Sequence, residues 1–172
     1  MALGKNYDGQ DCSLAKALEL IGERWTLLVI RDALYGVRRF GDFLAHLEIP
    51  RAVLSQRLGM LVEAGLFTRR RYQESPPRDE YVLTEIGQEL WPTVYTLAKW
   101  GERHLSREPM RLFHHVGCGA ELDQGAVCPP CGVRPALSQI EVRPGPGLDR
   151  EKRDQVTLAL RQPHRLLEPL LP

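Results

Sequence analysis

Apolar residues recur at helical spacing through the first hundred positions, then lose that rhythm. Residues 11–21 place Leu14, Ala17, Leu18 and Ile21 three and four apart, one apolar stripe on a helix that Gly22 ends. Residues 25–34 are apolar nearly all round (Trp25, Leu27, Leu28, Val29, Ile30, Ala33, Leu34). Such a helix sits at the centre of a core, and Tyr35-Gly36 breaks it. Phe40, Phe43, Leu44 and Leu47 mark a third, short helix starting near Arg38-Arg39. Pro50 suits the start of a fourth, where its missing N–H costs nothing. That helix runs to about residue 64. Leu54, Leu58 and Leu61 face inward with Val62 close by, while Ala52, Ser55, Gln56, Gly59 and Glu63 line another face. Gly65 follows as a cap that tolerates the left-handed conformation.

Two short helices joined by a tight turn, the second with a polar face, form a helix-turn-helix pattern. Residues 67–72 and 80–83 alternate like strands, and Pro76-Pro77 between them marks a turn, since proline cannot sit inside a paired strand. This predicts a hairpin, or wing. Thr84 can cap a further helix with Glu85 in its first turn. The pattern continues to about residue 106 through Ile86, Leu90, Val94, Leu97 and Trp100, with a kink or break expected at Pro92. Trp91, Tyr95, Ala98 and Leu105 add apolar surface beyond one stripe. The first helix and this long one are therefore candidates for a dimer interface, ordinary packing onto the core being the other reading.

The fold class that follows is mainly α with a small β wing, a winged helix-turn-helix, over residues 1–108. A small Cys/His-rich module follows at 109–147. A tail at 148–172 holds a short helix around 150–161, and the Pro-Gly-Pro-Gly run at 144–147 reads as a linker. The chain has 172 residues, enough for one ordinary core and an appendage. No apolar run is long enough to cross a bilayer, so no membrane association is expected. The first residues carry no apolar signal segment, which makes a reducing cytoplasm the expected compartment and disulfides a poor account of the cysteines.

Net charge is only +1, but residues 38–78 hold eight arginines and no lysine against four acids. A local basic excess of this kind suits phosphate contact. The first turns of the fourth helix offer Arg51, Ala52, Ser55 and Gln56. Arginine can pair with guanine, glutamine with adenine, and alanine can meet a thymine methyl. Arg57 lies to one side, better placed for phosphate. Arg38 and Arg39 could clamp the backbone, and Arg78 is the wing-tip arginine. Arg69, Arg70 and Arg71 alternate faces along a strand, which leaves one or two of them structural or solvated. Double-stranded DNA is the partner this set suits. A winged helix used only for protein contacts stays open as the alternative.

His115-x2-Cys118 and Cys128-x2-Cys131, separated by nine residues, make two ligand pairs. Together they offer the closed four-coordinate N/S set of a structural zinc site. Gly117, Gly119 and Gly132 fit tight knuckle turns beside the ligands. So short a piece with little aliphatic content needs a staple to fold, and zinc would supply one. A metal-free loop or a CxxC disulfide is the competing reading. All four positions are filled by protein, so a catalytic metal with bound water is not indicated. No Ser-His-Asp arrangement or phosphate-cradling glycine loop appears, and His46, His104 and His164 stand isolated in sequence. The chain is not expected to be an enzyme.

Three strings carry a family resemblance: CSLAKALELIGERWTLLVIRDALYGVRRFGDF from Cys12, PRAVLSQRLGMLVEAGLFTRR from Pro50 and SPPRDEYVLTEIGQEL from Ser75. With Gly-x-x-Trp at 22–25, Arg-Arg-Phe at 38–40 and Pro-Pro-Arg-x-Glu-Tyr at 76–81, the chain resembles the HxlR-type winged-helix transcription regulators, relatives of the MarR group. The resemblance covers about residues 11–106. It implies a homodimer paired through the first and last helices of that domain and bound to a near-palindromic operator, with a small-molecule or redox effector. Many such proteins stop near residue 106 or 110, so the Cys/His module is an addition. Cys12 matches a cysteine through which some members sense oxidation, although the usual next proline is Ser13 here. Asp8 and Asp11 disfavour a thiolate at Cys12 and a helix N-terminus favours one. A half-buried residue at a helix start remains the other reading.

Overall fold

The structure, a computed structural model, describes residue 7 and residues 9–171. Four helices come first: α1 (Ser13–Ile21), α2 (Thr26–Leu34), α3 (Phe40–Leu47) and α4 (Arg51–Glu63). An antiparallel ribbon follows, β1 (Phe67–Gln73) and β2 (Arg78–Leu83), with Phe67 opposite Leu83 and Arg71 opposite Asp79. This wing is longer than its apolar alternation suggested, because Gln73, Arg78 and Asp79 pair as backbone despite polar side chains. A winged helix-turn-helix is thus the frame of the first part of the chain. α2 is its centre, with Val29, Ile30 and Leu34 fully buried among Phe43, Leu54, Leu58 and Leu61.

Thr84 ends the wing as expected. Its Oγ1 accepts from the Gly87 N–H at 3.2 Å and donates to the Gly65 carbonyl at 2.6 Å. Thr84→Ala is expected to lower stability by about 1 kcal/mol, read as a shifted urea midpoint with an unchanged slope. The helical pattern then divides into α5 (Glu85–Gln88) and α6 (Trp91–Leu105), and Pro92 lies in the first turn of α6. Proline is tolerated there because that turn's N–H groups have no intrahelical partner.

The stripes of α1 and α6 turn out differently from their expected roles. Leu14 and Leu18 of α1 are 66 % and 39 % exposed, while Ala15 and Ile21 are buried. On α6 the residues taken as surplus, Trp91 and Tyr95, are core, whereas Leu97 and Trp100 stay about half exposed. Phe113 explains the exchange. Its ring lies 5.2 Å from Trp91, 5.3 Å from Tyr95 and 6.3 Å from Tyr35, so a later strand claims the aromatic face of α6.

That strand is β3 (Arg111–His115). It joins β4 (Ile140–Pro144) and β5 (His164–Arg165) in an antiparallel sheet of order β3-β4-β5. One short helix, α7 (Gln155–Ala159), occupies part of the expected 150–161 segment and lies against α3. Asp154 caps it, accepting from the Thr157 N–H at 2.9 Å. The residues read as a linker are packed instead: Gly145 N–H donates to Met110 and Gly147 N–H to Pro109, both at 3.0 Å. The tail is also part of the core, with Val156, Leu160 and Leu166 buried. Leu167 N–H reaches the Leu34 carbonyl at 2.9 Å and Leu170 N–H the Gly36 carbonyl at 3.0 Å.

Gly36 is the point of closest approach. Its φ is +90°, and a Cβ built there would lie 1.8 Å from the Glu168 carbonyl oxygen. Gly36→Ala therefore meets both a forbidden backbone region and a backbone clash. The variant is expected to keep its helices and lose protection of residues 160–171, read by amide exchange.

Candidate nucleic-acid interface and metal centre

The inward stripe of α4 fixes what its other side presents. With Leu54, Leu58 and Leu61 buried, Arg51, Ala52, Ser55 and Gln56 are all exposed on the N-terminal half of the helix. Gly59 follows them on an open surface, where a Cβ would touch nothing within 4 Å. The Arg51 guanidinium stacks 5.3 Å over the Phe40 ring at the start of α3. This contact holds a long cation at the helix entry without neutralising it.

The other arginines sort themselves by partner. Arg39 lies 4.6 Å over the Tyr72 ring of the wing. A backbone bridge between Arg39 and Glu80, with the Tyr81 N–H on the Arg38 carbonyl at 2.8 Å, sews α3 to β2. Arg39, Phe40, Asp42, Tyr72 and the exposed Arg78 then border one open hollow. Burial lifts the Asp42 carboxyl above its ordinary range, with Arg39 pulling the other way. Arg38 is turned toward the tail, donating to the Leu167 carbonyl at 3.1 Å. Arg57 is mostly buried, 3.5 Å from Glu23, and donates to the Met60 sulfur. Neither is as free for phosphate as its sequence position suggested.

The triplet at 69–71 is engaged throughout. Arg69 Nε donates to Asp79 at 2.7 Å, Arg70 Nε to Glu80 at 2.7 Å and Arg71 Nε to Asp79 at 3.1 Å. Hydrogen bonds from Arg69 and Arg71 hold the Asp79 carboxyl below the usual carboxylate range. The wing thus neutralises three of its own cations across its width, and Arg78 at the turn has no ion-pair partner among the described residues.

His46, taken as isolated, belongs to a buried cluster. Its Nδ1 is 2.7 Å from Oδ2 of the fully buried Asp32, whose Oδ1 accepts from Arg31. An acid inside the largely apolar α2 was the signal, because a buried carboxylate needs partners. His104 packs on Trp100, with ring centroids 5.1 Å apart, and His164 Nε2 meets the Glu168 carbonyl at 3.0 Å.

All four expected metal ligands come together. The donor atoms of His115, Cys118, Cys128 and Cys131 lie within 4.8 Å of one another. Cys118 Sγ is 3.3 Å from Cys128 Sγ and 3.5 Å from His115 Nδ1. A tetrahedron with metal–sulfur bonds of about 2.3 Å has edges of about 3.8 Å, so a small inward or outward shift fits a cation. Each ligand pair spans a tight turn closed by a glycine N–H. Gly119 donates to the His115 carbonyl at 2.7 Å and Gly132 to the Cys128 carbonyl at 2.8 Å, with φ of +73° and +67°. No disulfide joins these cysteines. The Ala120 N–H, with the neighbouring thiols, lowers Cys118 to about 7, and hydrogen bonds to Cys118 and Cys128 push Cys131 up to about 11. Three sulfurs this close ionise together only around a cation. Cys12 heads α1 and is exposed. Of its two flanking acids, Asp8 lies outside the described residues.

A helix-turn-helix with a sewn-on wing and an exposed polar face on its second helix defines the winged-helix class of transcription regulators. The chain belongs to the HxlR-like helix-turn-helix family, whose sequence profile matches residues 20–109. It is 45 % identical over 148 residues to an uncharacterized HTH-type transcriptional regulator of Mycobacterium tuberculosis, covering 84 % of this chain and 92 % of that one. A stretch of that length cannot avoid the Cys/His segment, whatever its ends. The HTH-type regulator YdeP of Bacillus subtilis is 31 % identical over 109 residues, 61 % of this chain and 85 % of its own. Among solved structures, a MarR-family transcriptional regulator from Porphyromonas gingivalis matches with a TM-score of 0.52 and 31 % identity, over 56 % of this chain and 95 % of that one. The redox regulator HypR in its reduced form matches with a TM-score of 0.51 and 31 % identity, over 54 % and 92 %. The family and these relatives are regulators, not enzymes.

Proposed function

We propose that this chain is a sequence-specific DNA-binding regulator acting as a homodimer on a near-palindromic operator. One observation carries the reading: Arg51, Ala52, Ser55 and Gln56 are exposed together at the start of α4, and Arg51 stacks on Phe40, which borders the hollow of Arg39 and Arg78. Side chains of these kinds, at the N-terminal end of a recognition helix, match base edges in a major groove, with wing cations left for phosphate. Arg38 and Arg57 act at the margin, holding the frame more than the duplex.

Leu14, Leu18, Leu97 and Trp100 support pairing through α1 and α6, since large apolar groups in water favour burial against a second copy. Half-sites would then lie about 34 Å apart. Leu18→Glu is expected to convert a dimer to a monomer in light scattering and to weaken operator binding. His115, Cys118, Cys128 and Cys131 would hold one structural zinc. A reducing cytoplasm is the compartment this reading fits, because thiols stay free for metal there. An effector belongs to the same reading, and Cys12, exposed at the head of α1, is the residue positioned for a redox response.

Fluorescence anisotropy with the duplex upstream of the chain's own gene tests the proposal. Affinity should fall steeply with salt and favour one sequence over its scrambled counterpart. Binding that is absent at low salt, or indifferent to sequence, would leave a protein-interaction adaptor instead.

A further inference from the structure

The segment that follows β4 is basic in a chain that is otherwise balanced. Residues 143–165 hold six arginines and lysines against three acids, in a protein of net charge +1. Three of the six have acidic partners. Arg143 Nε lies 2.7 Å from Glu141, Lys152 Nζ 3.2 Å from Glu48 and Arg165 Nη1 4.0 Å from Glu168. Arg150, Arg153 and Arg161 form no ion pair among the described residues. None of the segment's own acids pairs with them. Asp154 caps α7, and Asp149 accepts the Glu151 N–H at 2.8 Å and borders a separate cleft with Leu28 and Leu105. Glu151 is exposed.

Two of the three guanidinium groups shape the loop. Arg161 Nη2 donates to the Arg150 carbonyl at 2.8 Å and to the Lys152 carbonyl at 2.9 Å, and Arg153 Nη1 donates to the same Arg150 carbonyl. Two positive heads thus share one neutral oxygen, a repulsion that a nearby anion relieves. Arg150 and Arg161, with Pro144, Gly145 and Leu148, border an open hollow of about 270 Å³ that no carboxylate lines. A guanidinium carries five N–H donors in a flat fork, and phosphate oxygens fit that fork. Arg150 and Arg153 are both exposed.

The place of the loop in the fold selects the anion. Arg39 and Glu48 stand at the two ends of α3, and Lys152 is tied to Glu48. Cations therefore flank both ends of the helix that crosses the backbone in a helix-turn-helix complex. Arg51 follows Glu48 by three residues, a reach of at most about 10 Å. A major groove about 12 Å wide sets a phosphate strand on each side of a helix inserted in it.

We infer that Arg150 and Arg153, on the loop fixed by Arg161, bind the phosphate backbone of the duplex beside the half-site that α4 reads. Contacts of this kind add affinity and fix register without choosing sequence. They come from beyond residues 20–109, the part that the family profile matches. The partner rests on the regulator reading above.

Fluorescence anisotropy on the full-length protein tests the surface, with the operator duplex and a scrambled duplex of equal length across a salt series. Arg150→Gln/Arg153→Gln should weaken binding to both about tenfold at about 0.1 M salt and lower the log–log slope by about two or more. Arg150→Lys/Arg153→Lys should restore most of that slope, because an ammonium also meets phosphate. Arg103→Gln/Arg107→Gln removes the same charge around the end of α6 and should bind like wild type. An unchanged slope in the glutamine pair at 150 and 153, or an equal loss in the pair at 103 and 107, overturns the surface. A slope that depends on Arg150 and Arg153 on both duplexes, with no preference for the operator, supports the surface and overturns the sequence-specific reading alone. Absence of binding to either duplex at about 0.05 M salt overturns both.

Discussion

Cys128→Ser is expected to abolish zinc binding and to lower the melting midpoint of the whole chain by roughly 10 °C or more. Cys128 is fully buried, and its N–H donates to the Val133 carbonyl at 2.8 Å, so the residue serves the turn as well as the proposed metal site. Structural zinc contributes on the order of 10 kcal/mol in small metal-dependent folds. Even about 4 kcal/mol of that would shift a chain of this size by roughly 8–16 °C. The effect should not stay local. The loop between the ligand pairs is anchored to α6 by the Tyr95 hydroxyl, which donates to the Asp123 carbonyl at 2.8 Å. His115 ends the strand that carries Phe113 into the aromatic core. Metal analysis and scanning calorimetry read the two parts. A strong chelator should reproduce the shift in wild type; wild type purified without zinc, or a Cys128→Ser variant that melts like wild type, would remove this account of the module.

The second large effect is on DNA. Gln56→Ala and Arg51→Ala should each reduce discrimination between the operator and a mismatched duplex by about tenfold, the scale of one bidentate base contact. Arg78→Ala should weaken both duplexes alike and lower the log–log salt slope by about one. The contrast follows from placement. Arg51 and Gln56 stand on a helix face, and Arg78 stands at a turn. Arg57→Ala is the internal comparison: its side chain is mostly buried beside Glu23, so stability should change more than base preference. If Arg51, Gln56 and Arg78 variants all bind like wild type, the recognition assignment is wrong.

Helical periodicity made the first four helices legible to within two residues: apolar residues three and four apart marked α1, α3 and α4, and a run apolar nearly all round marked α2 as the core helix. The exposed side of α4 was legible for the same reason. Ligand spacing made the Cys/His cluster legible, since knuckle turns bring both pairs to one point without help from distant residues. What escaped depends on long-range partners. Arg69, Arg70 and Arg71 look like free cations until Asp79 and Glu80 are set opposite them by strand register. Trp91 and Tyr95 look like surplus until Phe113 arrives. Arg38 looks like a phosphate clamp until the Leu167 carbonyl turns it. His46 looks idle until α3 lays it against Asp32.

The hydrogen bonds from Leu167 to Leu34 and from Leu170 to Gly36 have a consequence for the order of synthesis. A ribosome releases the recognition helix and wing well before it makes the last strand. For that interval the C-terminal end of α2 and the ring of Tyr35 lack their lids, and a nascent chain exposes a greasy back. Completion of the helix-turn-helix half thus waits for residues 167–170, which act as its latch.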